Sequence, residues 1–157
     1  MLIHYVDEAG IDNDDFYEYG WSLRGERLYA LKPGTRTQRI SIIGALNQNI
    51  VHSPLVFEGY TNKELFELYL EQILIPNLRP GEYVVMDNAS FHKSEKIRNL
   101  IANAGCTLIY LPAYSPDLNP IEHFCHQIKN TIRKSLEKVG QCLFQAVQIA
   151  FDIIGRA

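Results

Sequence analysis

The chain has 157 residues, of which 46% are hydrophobic and 21% are charged, and its formal net charge is −3 at pH 7. This composition is typical of one folded domain and excludes a disordered chain, and no apolar run approaches the roughly 18–20 residues that a membrane span needs. The three cysteines include no C-x-x-C pair, which argues against a zinc ribbon, and residues 1–4 lack the basic start of a signal peptide, so we expect a cytoplasmic protein.

Strands are predicted throughout the first third of the chain. Residues 2–6 form a short apolar run that ends at Asp7-Glu8-Ala9-Gly10, which predicts a buried strand that breaks at a turn. A meander of hairpins is predicted next, because β-rich runs alternate with Gly- and Pro-containing turns; the runs are residues 17–23, 27–31 and 39–46. Residues 55–60 are expected to add an edge strand.

Helices alternate with strands from residue 61 onward. Thr61-Asn62-Lys63-Glu64 is a capping box, which predicts a helix that ends at Pro76. Ser94 is the predicted N-cap of a second helix, and Gly105 is its predicted stop. The other predicted elements are strands over residues 83–86 and 107–111 and, after a proline-rich loop, helices over residues 120–138 and 141–154. This order predicts an α/β fold, in which a mixed sheet has helices on both faces.

Two aspartates share one setting in this pattern. Asp7 and Asp87 each directly follow a short apolar strand, and functional side chains gather at strand ends in open α/β sheets. Two such acids on neighbouring strands would lie close together, which is unfavourable unless a cation offsets their charges. A helix cap or an Asx-turn explains either aspartate alone equally well. Glu8 is expected to point to the opposite side of the strand from Asp7.

A third acid, Glu122, follows a loop that three prolines stiffen. Asn119 is a good N-cap, Pro120 suits the first helical position, and Glu122 then falls at the third position. On spacing alone, this pattern favours a capping box over catalysis as the role of Glu122.

The helix that begins at Pro120 carries a line of cationic groups behind Glu122. Because each residue turns the helix by about 100°, Glu122, His126, Lys129 and Arg133 lie within a narrow arc of one face. Residues 91–157 carry eight bases against five acids, so a local basic surface can coexist with a negative net charge. A carboxylate at the head of such a line suits a metal site beside a phosphate track. A solvated basic face is the alternative, and it is the commoner role of such a helix.

Three segments, in this order, resemble the signature motifs of mariner-type DDE transposases, with a closer match to their bacterial insertion-sequence branch. The segments are Asp7-Glu8-Ala9-Gly10, Met86-Asp87-Asn88-Ala89-Ser90-Phe91-His92 and residues 111–124, and 34 residues separate Asp87 from Glu122. The resemblance covers nearly the whole chain. It implies the RNase-H-like α/β fold of the retroviral integrase superfamily, with a mixed sheet of about five strands (an antiparallel meander followed by parallel strands) and helices on both faces.

The resemblance implies two divalent metal ions, Mg²⁺ or Mn²⁺, held by three carboxylates. Asp7 would bridge both ions, Asp87 would complete the ligands of one, and Glu122 would complete those of the other. Carboxylates suit these hard ions, which can activate the attacking oxygen and stabilise the leaving oxygen of an in-line displacement. The implied function is that of a transposase catalytic domain, which cleaves DNA strands at transposon ends and transfers them into target DNA at a TA dinucleotide.

The implied partners are double-stranded DNA and a second copy of the chain, as a homodimer on DNA in the prokaryotic nucleoid. The residues proposed to contact DNA are Asn88, His92, His126, Lys129 and Arg133. We expect residues 1–157 to be a single DDE catalytic domain without the N-terminal helix-turn-helix region of such transposases. An N-terminal DNA-binding protein or the product of an upstream reading frame is therefore a further expected partner.

Two other functions are compatible with parts of this pattern. One is an RNase-H-like nuclease of a different type, against which the proline-rich block of residues 111–124 argues. The other is a catalytically silent DNA-binding or dimerisation module derived from a transposase. Retention of all three acids argues against the silent module, because such a module has no need of clustered carboxylates.

Overall fold

The computed structural model describes residues 2–12, 38–113, 115–136 and 143–154. A five-stranded mixed sheet with strand order β3-β2-β1-β4-β5 forms its centre. The strands are β1 (Ile3–Asp12), β2 (Arg39–Asn47), β3 (Ile50–Glu58), β4 (Tyr83–Met86) and β5 (Thr107–Tyr110). The first three strands pair antiparallel, whereas β4 and β5 continue the sheet from β1 in parallel. The predicted strands at residues 17–23 and 27–31 lie outside the described residues.

The first strand is longer than predicted, and the predicted turn at residues 7–10 is wrong. The strand β1 stays extended to Asp12 because β2 pairs with it in antiparallel register as far as Asp12↔Arg39. Its parallel pairing with β4 stops earlier, at Val6↔Met86. Asp7 therefore lies just beyond the end of the pairing with β4 but within the pairing with β2. The sequence shows only the end of the first pairing, where the apolar run stops.

The second hairpin also differs from the prediction, because β3 begins at Ile50 and not at residue 55. Gln48 and Asn49 both have positive φ, 48° and 65°, which is the backbone conformation that a tight two-residue hairpin requires. Pro54 lies within β3, where a proline is tolerated because this is an edge strand of the sheet.

Within the described residues, four helices cover the sheet: α1 (Lys63–Tyr69), α2 (Glu95–Asn103), α3 (Pro120–Leu136) and α4 (Leu143–Ile154). A π turn at Leu70–Leu74 and a 3-10 turn at Ile75–Asn77 continue α1. Ser94 caps α2 as predicted, since its hydroxyl accepts a hydrogen bond from the Ile97 N–H at 3.2 Å. Gly105 follows α2 with a φ of 73°. No helix in these residue ranges is long and apolar enough to cross a membrane.

Hydrophobic cores lie on both faces of the sheet, so the predicted mixed sheet with helices on both faces is confirmed. On one face, Phe66 of α1 and Ile97 of α2 pack on Val6 of β1. On the other face, Ile128 of α3 and Ala146 of α4 belong to a cluster with β1 and β2 residues. Each core is therefore built from one pair of helices, and β1 contributes to both because its side chains alternate.

The N-cap of α1 is Asn62, one residue later than the predicted Thr61. The Asn62 side chain accepts a hydrogen bond from the Leu65 N–H at 2.8 Å. Asn62→Ala should therefore lower the free energy of unfolding by about 1 kcal/mol, as the loss of an N-cap does. Thr61→Ala is the matched control and should have less than half of that effect. Urea denaturation of both variants measures the difference, and equal losses would contradict this cap.

Candidate active site

Two predicted acids lie side by side at one end of the β1–β4 pair. Val6 and Met86 are the last paired residues of these two strands, and Asp7 and Asp87 are the residues that directly follow them. Glu122 lies in the first turn of α3, which packs against β1. The charges of Asp87 and Glu122 both act on Asp7. The fold therefore brings the three predicted carboxylates together from β1, the end of β4 and the start of α3.

An open cavity of about 340 Å³ lies beside these acids. Asp87 and Glu122 line it, together with Asn88, Asn119 and backbone or side-chain atoms of residues 111–115 that the structure describes. Asp7 does not line this cavity, but Asn119, which does, donates from Nδ2 to the Asp7 Oδ2 at 3.4 Å. Two of the acids thus line the open cavity, and the third contacts a residue that lines it.

Asp7 is in a setting that disfavours its negative charge. Burial raises its pKa from 3.8 to about 7, and the charges of Glu8, Asp87 and Glu122 act in the same direction. The Glu8 N–H, which donates to the Asp7 Oδ1 at 2.8 Å, opposes this rise. A cation beside Asp7 would offset this penalty and favour the ionised form.

Asp87 is in the opposite setting, because hydrogen-bond donors lower its pKa. The largest cause is the hydrogen bond from the His92 Nδ1 to Oδ1, and the Ala89 N–H also donates to Oδ1, at 3.1 Å. The second ring nitrogen of His92, Nε2, lies 3.2 Å from the Glu8 Oε2. Burial alone would lower the pKa of His92, but the hydrogen bonds to Asp87 and Glu8 raise it to about 9.

Glu8 lies on the opposite side of β1 from Asp7, as predicted. Its carboxylate faces His92, whereas the Asp7 carboxylate faces Asn119 at the start of α3. The Glu8–His92–Asp87 chain was not predicted. Its only signal in the sequence is the five-residue step from Asp87 to His92, which lets the 3-10 turn at Ser90–Lys93 carry the imidazole back to the strand end.

The capping interpretation of the α3 start is only half correct. The Glu122 N–H bonds to the Asn119 carbonyl oxygen at 3.1 Å, so the backbone turns there as predicted. The Asn119 side chain does not cap the helix, because its buried Oδ1 has no hydrogen-bond partner among the residues that the structure describes and its Nδ2 points to Asp7. The Asn119 side chain therefore forms a hydrogen bond with the Asp7 carboxylate on β1 and does not accept hydrogen bonds from the N–H groups of its own helix.

The predicted DNA-contacting residues fall in different settings. Asn88 lines the open cavity. His126 is exposed on α3 and its Nε2 contacts the Asn130 Nδ2 at 2.9 Å, while the Arg133 guanidinium donates to the Asn130 Oδ1 at 3.3 Å. Lys129 is half-buried on the same helix. His92 has no exposed surface, so its burial is inconsistent with the predicted contact to DNA.

The three acids suit hard divalent ions, although they do not form one closed cage. Among the described residues, no group of three or more His, Cys, Asp or Glu side chains already surrounds a single point that could hold a metal ion. The all-carboxylate donor set and the mutual repulsion around Asp7 fit ions that are each held by two acids and completed by water or phosphate.

A family model described as "DDE superfamily endonuclease" matches residues 3–141. The chain belongs to this family. A curated relative, the "Insertion element IS630 uncharacterized 39 kDa protein" of Shigella sonnei, is 26% identical over 135 residues, which are 85% of this chain and 39% of the relative. The chain thus spans about two fifths of the length of the curated relative that it matches. DDE transposases and integrases generally use divalent metal ions.

Solved structures of transposases and integrases share the fold of this DDE domain. The Mos1 strand transfer complex aligns with a TM-score of 0.59 at 16% identity, over 97% of this chain and 52% of that chain. The simian T-cell lymphotropic virus intasome aligns with a TM-score of 0.62 at 12% identity, over 94% and 46%. The catalytic core of BIV integrase aligns with a TM-score of 0.54 at 16% identity, over 94% and 79%. The predicted RNase-H-like fold is therefore confirmed, and the family match confirms the predicted DDE type.

The raised pKa of Asp7 predicts how the stability of the metal-free domain depends on pH. Between pH 3.8 and about 7 the folded state binds the Asp7 proton more tightly than the unfolded state does, so stability falls as the pH rises through this window. Asp7→Asn removes this loss and should raise the free energy of unfolding at pH 8 by about 1–3 kcal/mol. Denaturation in EDTA at pH 4 and pH 8 measures it.

The control for this prediction is Asp152→Asn, which removes one negative charge from an exposed position on α4. It should leave the free energy of unfolding nearly unchanged at both pH values. If Asp7→Asn also had no stabilising effect at pH 8, the folded protein would not disfavour the charged form of Asp7, and this prediction would be wrong.

Proposed function

We propose that this chain is the catalytic domain of a transposase, which cuts and joins DNA strands with Asp7, Asp87 and Glu122 as the metal-binding acids. The observation that carries the proposal is the convergence of these acids beside one open cavity. A protein that used them only as caps would have no reason to gather three carboxylates at a cost in stability. The similar structures named above add support, since they include a strand transfer complex and an intasome.

Two Mg²⁺ or Mn²⁺ ions are the proposed cofactors, with Asp7 shared between them and Asp87 and Glu122 each serving one. When bound, such ions supply a Lewis acid at the attacking and leaving oxygens of a phosphodiester. The contribution of the chain is to fix the acids on rigid elements, β1 and α3, so that little reorganisation is needed when DNA arrives. Asn119 holds the Asp7 carboxylate from the side of α3.

Double-stranded DNA is the proposed substrate, with its backbone lying along the exposed side of α3. The cationic groups of this helix follow Glu122 toward its C-terminal end, and basic contacts to phosphate position DNA without reading its sequence. The proposed steps are hydrolysis at a transposon end and strand transfer into target DNA at a TA dinucleotide. A homodimer on DNA and an N-terminal DNA-binding region, within the same protein or a partner, complete the proposed assembly.

The proposal predicts metal-dependent nicking of DNA. With Mn²⁺ or Mg²⁺, the protein should convert supercoiled plasmid to open circles, and Asp87→Asn, Asp7→Asn and Glu122→Gln should each reduce the rate at least 100-fold, because each removes one metal-binding carboxylate. Gel electrophoresis of the plasmid measures the rate. Asp152→Asn, purified in the same way, is the control and should keep the wild-type rate.

Each outcome of this experiment separates the candidate functions. Equal nicking by the wild type and the three variants would place the chemistry at another site and overturn the assignment. Absence of nicking by the wild type, with DNA binding retained, would favour the catalytically silent module.

The proposed DNA track on α3 predicts a sequence-independent loss of affinity on charge removal. Lys129→Gln and Arg133→Gln should each weaken the binding of a DNA duplex several-fold, and each should reduce the slope of log K against log salt concentration by about 1. Fluorescence anisotropy over a range of salt concentrations measures both quantities. Lys63→Gln is the matched control, because Lys63 is exposed at the start of α1 on the other face of the sheet. Equal losses in all three variants would exclude a track on α3.

A further inference from the structure

We propose that Glu8 and His92 form a positioning pair that presents Asp87 to the metal ion through one defined oxygen. The pair holds the Asp87 Oδ1 from the protein side and leaves Oδ2 for the metal. This inference rests on the proposed function, because it concerns the same metal site, but it assigns new roles to two residues. His92 was expected on sequence grounds to contact DNA, and no role was assigned to Glu8.

The hydrogen bonds of Asp87 are all directed to one of its two oxygens. The His92 Nδ1 and the Ala89 N–H both donate to Oδ1, whereas Oδ2 has no hydrogen bond within the part of the chain that the structure describes. The Asp87 side chain is 46% exposed and lines the open cavity. One oxygen of this carboxylate accepts two hydrogen bonds from the protein, and the other oxygen accepts none from the described residues. A carboxylate held in this way is preoriented as a monodentate ligand.

The imidazole that holds Asp87 is itself fixed from several sides. His92 is fully buried, and its ring lies 4.2 Å from the ring centroid of Phe66 and 4.3 Å from that of Phe91. The Tyr110 hydroxyl donates to the His92 carbonyl oxygen at 2.7 Å. These contacts come from α1, from the 3-10 turn and from β5, so the ring has little freedom to rotate.

Glu8 completes the arrangement by fixing the second ring nitrogen. Its Oε2 lies 3.2 Å from the His92 Nε2, and it belongs to β1, next in sequence to Asp7. The chain Glu8–His92–Asp87 therefore links the strand that carries one metal-binding acid to the residue that is the second. In many sites a carboxylate orients a histidine, and the histidine in turn orients a group that reacts or binds a metal.

Two substitutions of His92 separate its two hydrogen bonds. His92→Asn keeps an N–H donor near the position of Nδ1, which serves Asp87, while His92→Gln keeps one near the position of Nε2, which serves Glu8. If positioning of Asp87 is the role of His92, the glutamine variant should bind Mn²⁺ about 10–100-fold more weakly than the wild type, the usual loss when a group that orients a ligand is removed. The asparagine variant should lose less than about 5-fold.

Direct binding is the measurement, made by titrating Mn²⁺ and following the free ion by electron paramagnetic resonance, without DNA or turnover. Ile101→Val, a substitution in the same core at a residue of α2, controls for loss of stability alone and should bind Mn²⁺ like the wild type. Thermal unfolding of every variant is recorded alongside. A purely structural role of His92 would make Mn²⁺ affinity follow thermal stability and not the position of the retained donor.

A double-mutant cycle tests whether Glu8 acts through His92. This test does not require that His92→Gln is folded. Glu8→Ala should weaken Mn²⁺ binding several-fold in the wild type, but it should add nothing in the His92→Asn background, where the donor to Glu8 is already absent. An equal loss in both backgrounds would mean that Glu8 acts on the ion by its charge alone, and the positioning pair would be wrong.

The outcomes distinguish failure of this inference from failure of the proposed function. If His92→Gln binds Mn²⁺ as well as His92→Asn does while Asp87→Asn abolishes binding, the metal site stands and the positioning role of His92 is overturned. If the wild type binds Mn²⁺ no better than Asp87→Asn does, both the metal site and the inference are overturned.

Discussion

The site depends on an offset between the two pairings of β1. Its parallel ladder with β4 stops at Val6↔Met86, while its antiparallel ladder with β2 continues to Asp12. Because β2 holds the backbone extended beyond that point, Asp7 is fixed on a rigid strand where β4 no longer covers it. The first turn of α3 packs beside the uncovered part of β1. A strand that ended at Asp7 would offer the same carboxylate from a loop, with far less control of its position.

The cost of this arrangement is electrostatic, and Asp7 and Asp87 differ in how the protein treats their negative charges. Asp7 is the most buried and has its pKa raised to about 7, whereas hydrogen bonds from His92 and Ala89 lower the pKa of Asp87. The domain therefore stabilises the charge of the acid at the end of β4 with its own donors and leaves the acid on β1 in need of an external cation. This asymmetry fits the proposed metal site, since a site fully satisfied by protein donors would gain little from an ion.

The elements with strong local signals were predictable from the sequence, and those that depend on pairing were not. The strand at residues 83–86, the Ser94 cap and the Gly105 stop are encoded by apolar runs and by turn chemistry, and they are confirmed. The continuation of β1 through Gly10 was missed, because glycine after two acids is typical of a turn and only the β2 partner keeps this segment extended. In the same way, the start of β3 was missed because Pro54, which lies within it, is typical of the end of a strand.

The site was predictable as a set of acids but not as a set of contacts. Spacing and motif order pointed to Asp7, Asp87 and Glu122, whereas the partners of these acids come from long-range geometry. Asn119 has the sequence pattern of a helix cap, but its side-chain Nδ2 donates to the Asp7 Oδ2, 112 residues away in the sequence.

A second polar chain, at the other end of the sheet, shows that buried histidines in this fold have different roles in different places. The His4 ring lies between the His52 Nε2, at 2.8 Å, and the Glu82 Oε2, at 3.0 Å, and so links β1 to β3, two strands away in the sheet, and to the residue that precedes β4. It adjoins none of the three acids and faces no open cavity described above. His92 differs in the exposure of its carboxylate partner, because the Asp87 side chain is 46% exposed whereas the Glu82 side chain is 9% exposed. The exposure of the carboxylate, and not the burial of the histidine, distinguishes the two chains of polar contacts.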